Sequence, residues 1–167
     1  KSDLGVFSKN KIDYGNNLLL NAYLTNKKSV KKILDVGCGY GIIGIVLGKI
    51  CSCKVLMTDV NKRSVHLTEM NIKENNVDAD VIVSNCYENV NNKFDLIITN
   101  PPIRAGKEVV LEILIGAKEH MNKNGELWCV INKNGGAKTF IKHLENHYKV
   151  EIIKKSKGFY IIKSKIC

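Results

Sequence analysis

The sequence predicts an α/β fold with a seven-stranded, mostly parallel sheet and helices on both faces of the sheet. Short apolar runs alternate along the chain with longer segments of helical pattern, and these runs are apolar on both faces. Strands of that kind are typical of parallel sheets that helices cover on both sides. The chain has 167 residues, which is enough for one domain to bury a core without disulfides or metal.

The predicted elements follow one another in a regular order. The first is a helix over Tyr14–Leu24, which precedes the sheet. Five apolar runs of strand length then predict the parallel strands, at Lys32–Val36, Lys54–Thr58, Asp80–Ser84, Phe94–Thr99 and Glu126–Ile131. The helical patterns between and after these strands lie near Ile42–Ile50, Lys62–Glu74, Lys107–Met121 and Ala137–His147. A short lysine-rich turn joins two last strand-like runs into a predicted antiparallel hairpin, Lys149–Lys155 and Gly158–Lys163.

No repeat, low-complexity tract or proline-rich linker divides the chain, so a single domain is expected. We divide it into an N-terminal helix with the loop before it at 1–31, an α/β core at 32–147 and the hairpin at 148–167.

The charge is strongly basic, with 26 Lys and Arg against 16 Asp and Glu and a net charge of +10. Cationic surfaces bind nucleic-acid phosphates by releasing counterions, but the bias of an AT-rich genome towards Lys, Asn and Ile also explains such a composition. The excess is concentrated at the chain ends, where residues 1–32 sum to +5 and residues 138–167 sum to +6. We therefore hypothesise that two lysine groups bind RNA phosphates: Lys27, Lys28, Lys31 and Lys32, and Lys154, Lys155 and Lys157.

Several functional classes are disfavoured. No apolar run reaches the roughly 18 residues of a membrane span, and no signal peptide opens the chain. The six cysteines form no CxxC pair and no zinc-type spacing, so they are expected to be reduced thiols. We expect a cytoplasmic protein that uses no metal ion and no membrane, and we take it to be a monomer.

A glycine-rich turn after the first strand is the strongest local signal for a ligand. Asp35 lies near the end of the strand, and the turn contains Gly37, Gly39 and Gly41. Glycines permit positive φ and the close approach of a ligand, and the following helix adds oriented N–H groups. The run Gly39–Gly44 also matches the GxGxxG string of dinucleotide sites, so a dehydrogenase is one alternative. Asp35 disfavours it, because a carboxylate there repels pyrophosphate and suits a cationic group.

The same region resembles motif I of the class I S-adenosylmethionine (SAM)-dependent methyltransferases. Asp59 follows Gly37 by 22 residues at the end of the second strand, where a carboxylate can accept hydrogen bonds from both ribose hydroxyls. By this resemblance the loop after the third strand lies beside the adenine, which makes Asn85 a candidate for binding its amino group. Taken alone, each of these side chains is also explained as a helix cap or a turn residue.

The fourth strand runs directly into Asn100-Pro101-Pro102-Ile103. Two prolines restrict the backbone of this loop and bias Asn100 towards an extended conformation. The Asn100 side-chain oxygen and the Pro101 carbonyl can then accept both hydrogens of a substrate amine. The alternative is a plain turn at the end of a strand. Arg104 and Lys107 follow, and both are candidates for contacts with phosphate, with Arg104 also suited to guanine O6 and N7.

This tetrapeptide resembles the motif of methyltransferases that modify the amino groups of adenine, cytosine, guanine or protein glutamine. They place an aromatic residue at its fourth position, where this chain has Ile103, so a stacking contact with the base must come from elsewhere. With Gly5–Ser8, Asp13–Gly15 and Ser84–Asn85, the motif resembles the "methyltransferase small" domain of bacterial small-subunit rRNA guanine-N2 methyltransferases, in its single-domain form.

The resemblance implies a Rossmann-like class I methyltransferase fold, SAM as cofactor, S-adenosylhomocysteine as product and 16S rRNA or the small ribosomal subunit as partner. It also implies that the loop with Asp13 and Gly15 closes over the methionine end of SAM, and that Phe7 lines the pocket. Methylation of protein glutamine or of DNA adenine stays an alternative, as does a module that binds SAM or RNA without catalysis.

Overall fold

A computed structural model describes residues 13–167, and one mixed sheet organises this part of the chain. Its strands are β1 Lys32–Val36, β2 Lys54–Asp59, β3 Ala79–Val83, β4 Phe94–Thr99, β5 Met121–Asn132, β6 Lys149–Ser156 and β7 Phe159–Lys165. They lie in the order β3-β2-β1-β4-β5-β7-β6. Pairing is parallel from β3 through β5, whereas β7 is antiparallel to both β5 and β6. The predicted seven-stranded, mostly parallel sheet with a C-terminal hairpin is confirmed.

Helices pack on both faces of the sheet. Within residues 13–167 they are α1 Tyr14–Asn26, α2 Ile42–Cys51, α3 Lys62–Asn75, α4 Lys107–Gly116 and α5 Ala137–Glu145. Three short 3-10 turns, Ile103–Ala105, Ala117–His120 and Lys133–Gly135, complete the helical structure. Successive side chains of a strand point to opposite faces of the sheet, so the strands contribute residues to two hydrophobic cores. One core packs against α1 and α2, and the other packs against α4 and α5.

A buried aromatic pair holds α1 against the sheet. Trp128 of β5 is fully buried and meets the ring of Tyr23 edge-on, with 5.2 Å between the ring centroids. The Trp128 Nε1 donates to Glu126 Oε2 at 2.9 Å. Burial raises the pKa of Glu126, but the hydrogen bonds from Lys28 and Trp128, with neighbouring lysines, outweigh burial and hold that pKa below its usual range. Glu126 pairs with Leu96 of β4, and Leu96 pairs with Ile33, the second residue of β1, so this carboxylate lies near the start of the parallel strands.

The helix predicted over Lys107–Met121 is shorter than expected, because α4 ends at Gly116 and Met121 already belongs to β5. The Tyr148 hydroxyl explains where the α-helical bonding stops. It accepts from the Lys118 backbone N–H at 3.0 Å and donates to the Leu114 carbonyl at 2.8 Å. It therefore stands between an amide and the carbonyl four residues earlier, which interrupts the α-helical ladder. The sequence pattern of this segment does not reveal a tyrosine that is distant in the chain.

The third strand also differs from the sequence prediction. It is expected to be apolar on both faces, but β3 forms the edge of the sheet and its residues are half-buried or exposed. Among residues 13–167, no helix is long and apolar enough to cross a membrane, and no group of three or more His, Cys, Asp or Glu side chains is arranged to hold a metal ion. All six cysteines are unpaired thiols.

Candidate active site

The carboxyl ends of the parallel strands meet at one edge of the sheet, where a cavity of about 480 Å³ opens. Ten of the predicted site residues line it: Asp13, Gly37, Gly39, Asp59, Asn85, Asn100, Pro101, Pro102, Ile103 and Arg104. Four do not: Gly15, Asp35, Gly41 and Lys107. Pockets at this edge are the usual ligand sites of open α/β sheets, and the volume is within the range of small-molecule sites. Phe7 lies outside the described residues.

The glycine turn after β1 forms one wall of the cavity. Gly39 has a φ of +59°, and a Cβ built on it would meet no atom within 4 Å, so its backbone is open to a ligand. Gly41 has a φ of +89° for a different reason, because a Cβ there would lie 2.7 Å from the Thr68 side chain. Gly41 therefore lets α3 pack against the turn, and its contribution to the cavity is indirect.

Asp59, at the end of β2, anchors this turn. Its Oδ2 accepts from the Gly39 N–H at 2.9 Å, and its Oδ1 accepts from the Asn61 N–H at 2.9 Å. A carboxylate has about four lone-pair sites, so two remain for hydroxyl groups of a ligand in the cavity. The sequence predicts Asp59 as a ligand-binding residue, and the fold adds that it also holds the backbone of the turn.

Asp35 lies apart from the other candidates. It is buried beneath the turn, where Oδ2 accepts from the Gly44 N–H at 2.9 Å while Oδ1 has no partner in the described chain. Burial raises the pKa of Asp35 to about 7, and the charge of Asp59 adds to this, against the effect of the Gly44 hydrogen bond. Asp35 does not line the cavity, so the structure does not place it where the expected direct contact with a cationic ligand could form.

The Asn100 side chain has a defined orientation. Its Nδ2 donates to Asp13 Oδ2 at 3.0 Å and to Asn16 Oδ1 at 2.8 Å. Asp13 Oδ2 also accepts from the Asn16 backbone N–H at 3.2 Å, so a carboxylate acceptor faces the amide and the nitrogen must point towards it. The Asn100 oxygen is left without a partner among residues 13–167. The Pro101 carbonyl likewise accepts no hydrogen bond from this part of the chain.

Gly15 explains how α1 approaches this close. A Cβ there would lie 3.2 Å from Asp13 Oδ2, 3.2 Å from the Phe159 ring and 3.5 Å from Asn100 Nδ2. The glycine therefore supports the cavity wall without lining it. Arg104 is exposed beside Ile103, and Lys107 opens α4 further along the same edge.

Sequence reasoning misses several residues of the cavity lining, and two of them, Asn16 and Phe159, contact or adjoin the Asn100 loop. Asn16 is buried on the first turn of α1, and no motif marks it. Phe159 is the first residue of β7, and its aromatic ring lines the cavity. The fourth residue of the tetrapeptide, Ile103, also lines the cavity but is aliphatic. The Phe159 ring lies 5.5 Å from that of Tyr14. The hairpin pattern predicts the strand, but only the antiparallel pairing of Phe159 with Asn132 shows that the strand begins at the cavity.

Comparison with known proteins gives a consistent picture. The family model described as the methyltransferase small domain matches residues 1–163. The Bacillus subtilis protein YbxB, described as uncharacterized, is 43% identical over 169 residues, which cover 98% of this chain and 84% of that protein. Ribosomal RNA small subunit methyltransferase C of Serratia proteamaculans is 39% identical over 133 residues, which cover 77% of this chain and 38% of that enzyme.

Solved structures share the fold at lower identity. The T. thermophilus 16S rRNA N2 G1207 methyltransferase, in complex with AdoMet and guanosine, matches with a TM-score of 0.86 and 22% identity, over 98% of this chain and 46% of that one. A ribosomal protein L11 methylase from Lactobacillus delbrueckii matches with a TM-score of 0.80 and 22% identity, over 94% and 80% of the two chains. The chain thus spans less than half the length of the S. proteamaculans and T. thermophilus rRNA methyltransferases.

The buried Asp35 makes a testable prediction about stability and pH. The folded protein keeps a proton on Asp35 up to about pH 7, whereas the unfolded chain releases it near the ordinary value of 3.8. Between these values the folded state binds more protons, so this group makes the free energy of unfolding fall as pH rises. Asp35→Asn removes the titration, so its stability relative to the wild type should rise from about pH 4 to pH 7 and then level off. Urea unfolding of both proteins across this range measures the difference, and parallel pH profiles would contradict the assignment.

Proposed function

The chain belongs to the methyltransferase small domain family, and from that premise we propose that it transfers a methyl group from SAM to guanine N2 of small-subunit rRNA. The observation that carries the proposal is the Asn100 amide. Asp13 and Asn16 hold its nitrogen, while its oxygen and the Pro101 carbonyl have no hydrogen-bond partner among residues 13–167 and are available to a substrate amine. The relatives described as small-subunit rRNA methyltransferases favour rRNA as the substrate. The guanosine bound to the T. thermophilus enzyme favours guanine as the base.

The residues of the cavity fit SAM. The open backbone at Gly39 allows close approach of a ligand, and Asp59 keeps lone pairs for the two ribose hydroxyls. Asn85 lines the same wall, where its amide can bond the adenine. When bound, SAM supplies a methyl group on a positively charged sulfur and leaves as S-adenosylhomocysteine. Asp35 contributes beneath this wall, by bonding the Gly44 N–H at the first turn of α2.

Asn100 and Pro101 act on the substrate amine. An exocyclic amine is planar and its lone pair is delocalised into the base, so it is a weak nucleophile. Two acceptors that bond both amine hydrogens favour the pyramidal geometry, in which the nitrogen lone pair is available to form the new bond to carbon. The nitrogen becomes positively charged as this bond forms and then loses a proton, so a strong general base is not required.

The base itself needs an apolar surface. Ile103 packs against one side of the substrate, and Phe159 supplies the aromatic face that the tetrapeptide lacks. A target nucleotide that starts in a stack must be flipped into the cavity. Since rRNA is the substrate, we place the enzyme in the cytoplasm.

Two variants should separate binding from catalysis. Asn100→Ala removes one of the two acceptors for the hydrogens of the substrate amine, so kcat should fall by about 10² to 10³-fold while the Kd for SAM is unchanged.

Asp59→Asn replaces a charged acceptor of hydrogen bonds from the ribose hydroxyls with a neutral one, so the Kd for SAM should rise by roughly 10-fold or more. Calorimetry and single-turnover assays measure these quantities. Normal turnover in the Asn100 variant would remove it from the mechanism.

Asn16 should act as a positioning residue through Asn100. Asn16→Leu removes one of the two acceptors that hold the Asn100 nitrogen, so kcat should fall by about 10-fold or more with little change in the Kd for SAM. Asn16→Asp keeps an acceptor oxygen at the same place and should restore most of kcat. If both variants lose the same activity, or if both lose SAM binding, Asn16 serves packing alone.

The substrate is tested directly by nucleoside mass spectrometry of rRNA from cells with and without the protein. Loss of N2-methylguanosine, restored by the wild type and not by Asn100→Ala, is the expected result. A labelled-SAM assay on rRNA, small subunits, DNA and glutamine-containing protein substrates separates the alternatives. Label in DNA adenine or in protein would replace the guanine assignment, and SAM binding without transfer to any acceptor would indicate a non-catalytic module.

A further inference from the structure

The edge of the sheet that holds the cavity also carries a group of exposed basic residues, which we call the acceptor rim. It comprises Arg104, Lys107, Lys133, Lys154, Lys155 and Lys157. They come from three separate segments: the loop after β4, the turn after β5 and the end of the hairpin. The fold brings these segments together on the side of the cavity where Asn100, Pro101 and Phe159 lie.

The hairpin end is joined to the cavity wall by direct contacts. The Lys133 backbone N–H donates to the Gly158 carbonyl at 2.6 Å, so the turn after β5 and the hairpin turn form one unit. The Lys157 ammonium lies 5.0 Å from the centre of the Tyr14 ring, and the Lys155 ammonium lies 4.9 Å from that of Tyr160. Tyr14 OH is also within 2.8 Å of Ser156 Oγ. These contacts hold two rim cations close to the cavity mouth.

The charge of the acceptor rim is not neutralised within residues 13–167, where no carboxylate lies within 4.0 Å of its basic groups. The opposite edge of the sheet differs. There Lys28, Lys163 and Lys165 surround the buried Glu126, with nitrogen-to-oxygen distances of 2.5, 3.7 and 3.3 Å. Asp95 lies at the same edge and accepts from the backbone N–H groups of Lys31 and Lys32.

The two lysine groups for which the sequence analysis predicts the same role, RNA binding, lie in different parts of the fold. Lys154, Lys155 and Lys157 lie at the cavity edge, because β7 begins beside the end of β5. Lys27, Lys28, Lys31 and Lys32 lie around the start of β1, at the far edge of the sheet. The two groups therefore lie near opposite ends of the parallel strands, and only the C-terminal group lies at the end that holds the cavity.

We propose that the acceptor rim binds the phosphate backbone of RNA on either side of the target nucleotide, and that the lysines of the opposite edge do not. This rests on the proposed function for the base in the cavity. Lysine ammonium groups are point charges that bond phosphate without reading sequence, so the rim sets the position of the RNA rather than the choice of base. The uncompensated charge makes release of counterions the driving force for binding.

The test compares two triple variants with equal loss of charge. The rim variant is K133Q/K155Q/K157Q and the control is K27Q/K31Q/K32Q, with Lys28 retained because it pairs with Glu126. The Kd for a short 16S rRNA fragment is measured from low to moderate salt. The rim variant should lower the slope of log K against log salt by roughly 2 to 3, close to 0.7–0.9 per lost contact, while the control keeps the wild-type slope.

Kinetic and competition measurements complete the design. For the rim variant, the KM for RNA should rise at least 10-fold, whereas kcat at saturating RNA and the Kd for SAM stay unchanged. An unchanged salt slope in the rim variant, or an equal loss in the control, would overturn the proposal. Competition by polyglutamate as strong as by RNA would also overturn it, because the rim would then recognise any polyanion, including acidic protein.

The proposed methylation of guanine N2 and the proposed RNA contact at the acceptor rim can be rejected independently of each other. Rim-dependent RNA binding without any methyl transfer to RNA would reject the proposed function and keep the surface. Methylation of guanine N2 with a salt slope indifferent to the rim would keep the function and reject the surface.

Discussion

Parallel pairing of β1 with both β2 and β4 is the constraint on which the candidate site depends. Parallel strands end at the same edge of a sheet, so loops that are distant in the chain become neighbours. The register places Val36 beside Thr58 and Asp59 beside Val83, and Thr99 Oγ1 donates to the Val36 carbonyl at 2.7 Å. The glycine turn, Asp59, Asn85 and Asn100 therefore share one cavity.

Helix α1 adds the second requirement, which is a fixed direction for the Asn100 amide. Asp13 caps α1 by accepting from the Gly15 and Asn16 N–H groups, and the same carboxylate accepts from Asn100. The packing of Tyr23 on Trp128 holds the other end of the helix on the sheet. One carboxylate thus caps the N-terminal helix and also fixes the direction of the Asn100 amide at the cavity.

Much of the fold follows from local pattern, because buried parallel strands and the helices between them have different periods and lengths. Errors occur where distant residues decide. Tyr148 ends the α-helical bonding at Gly116, and the edge position exposes β3. For the site, motifs identify Asp59 and Asn100 because their residue types and strand-end positions are specific. Asn16 and Phe159 carry no such mark, since their roles arise from contacts across the chain.

Periodicity and motif spacing are local properties, so the fold class, the order of the strands along the chain and the family can be inferred from the amino-acid sequence. Which polar groups face the cavity depends on contacts between distant parts of the chain, so it follows from the folded structure. It buried Asp35 below the glycine turn and left the Asn100 oxygen free. It also separated two lysine groups of similar composition, because the antiparallel β7 places the hairpin end beside the cavity, while residues 27–32 lie at the start of β1, at the opposite ends of the parallel strands. Charge and burial at a site depend on the neighbours that folding supplies, which no single stretch of sequence contains.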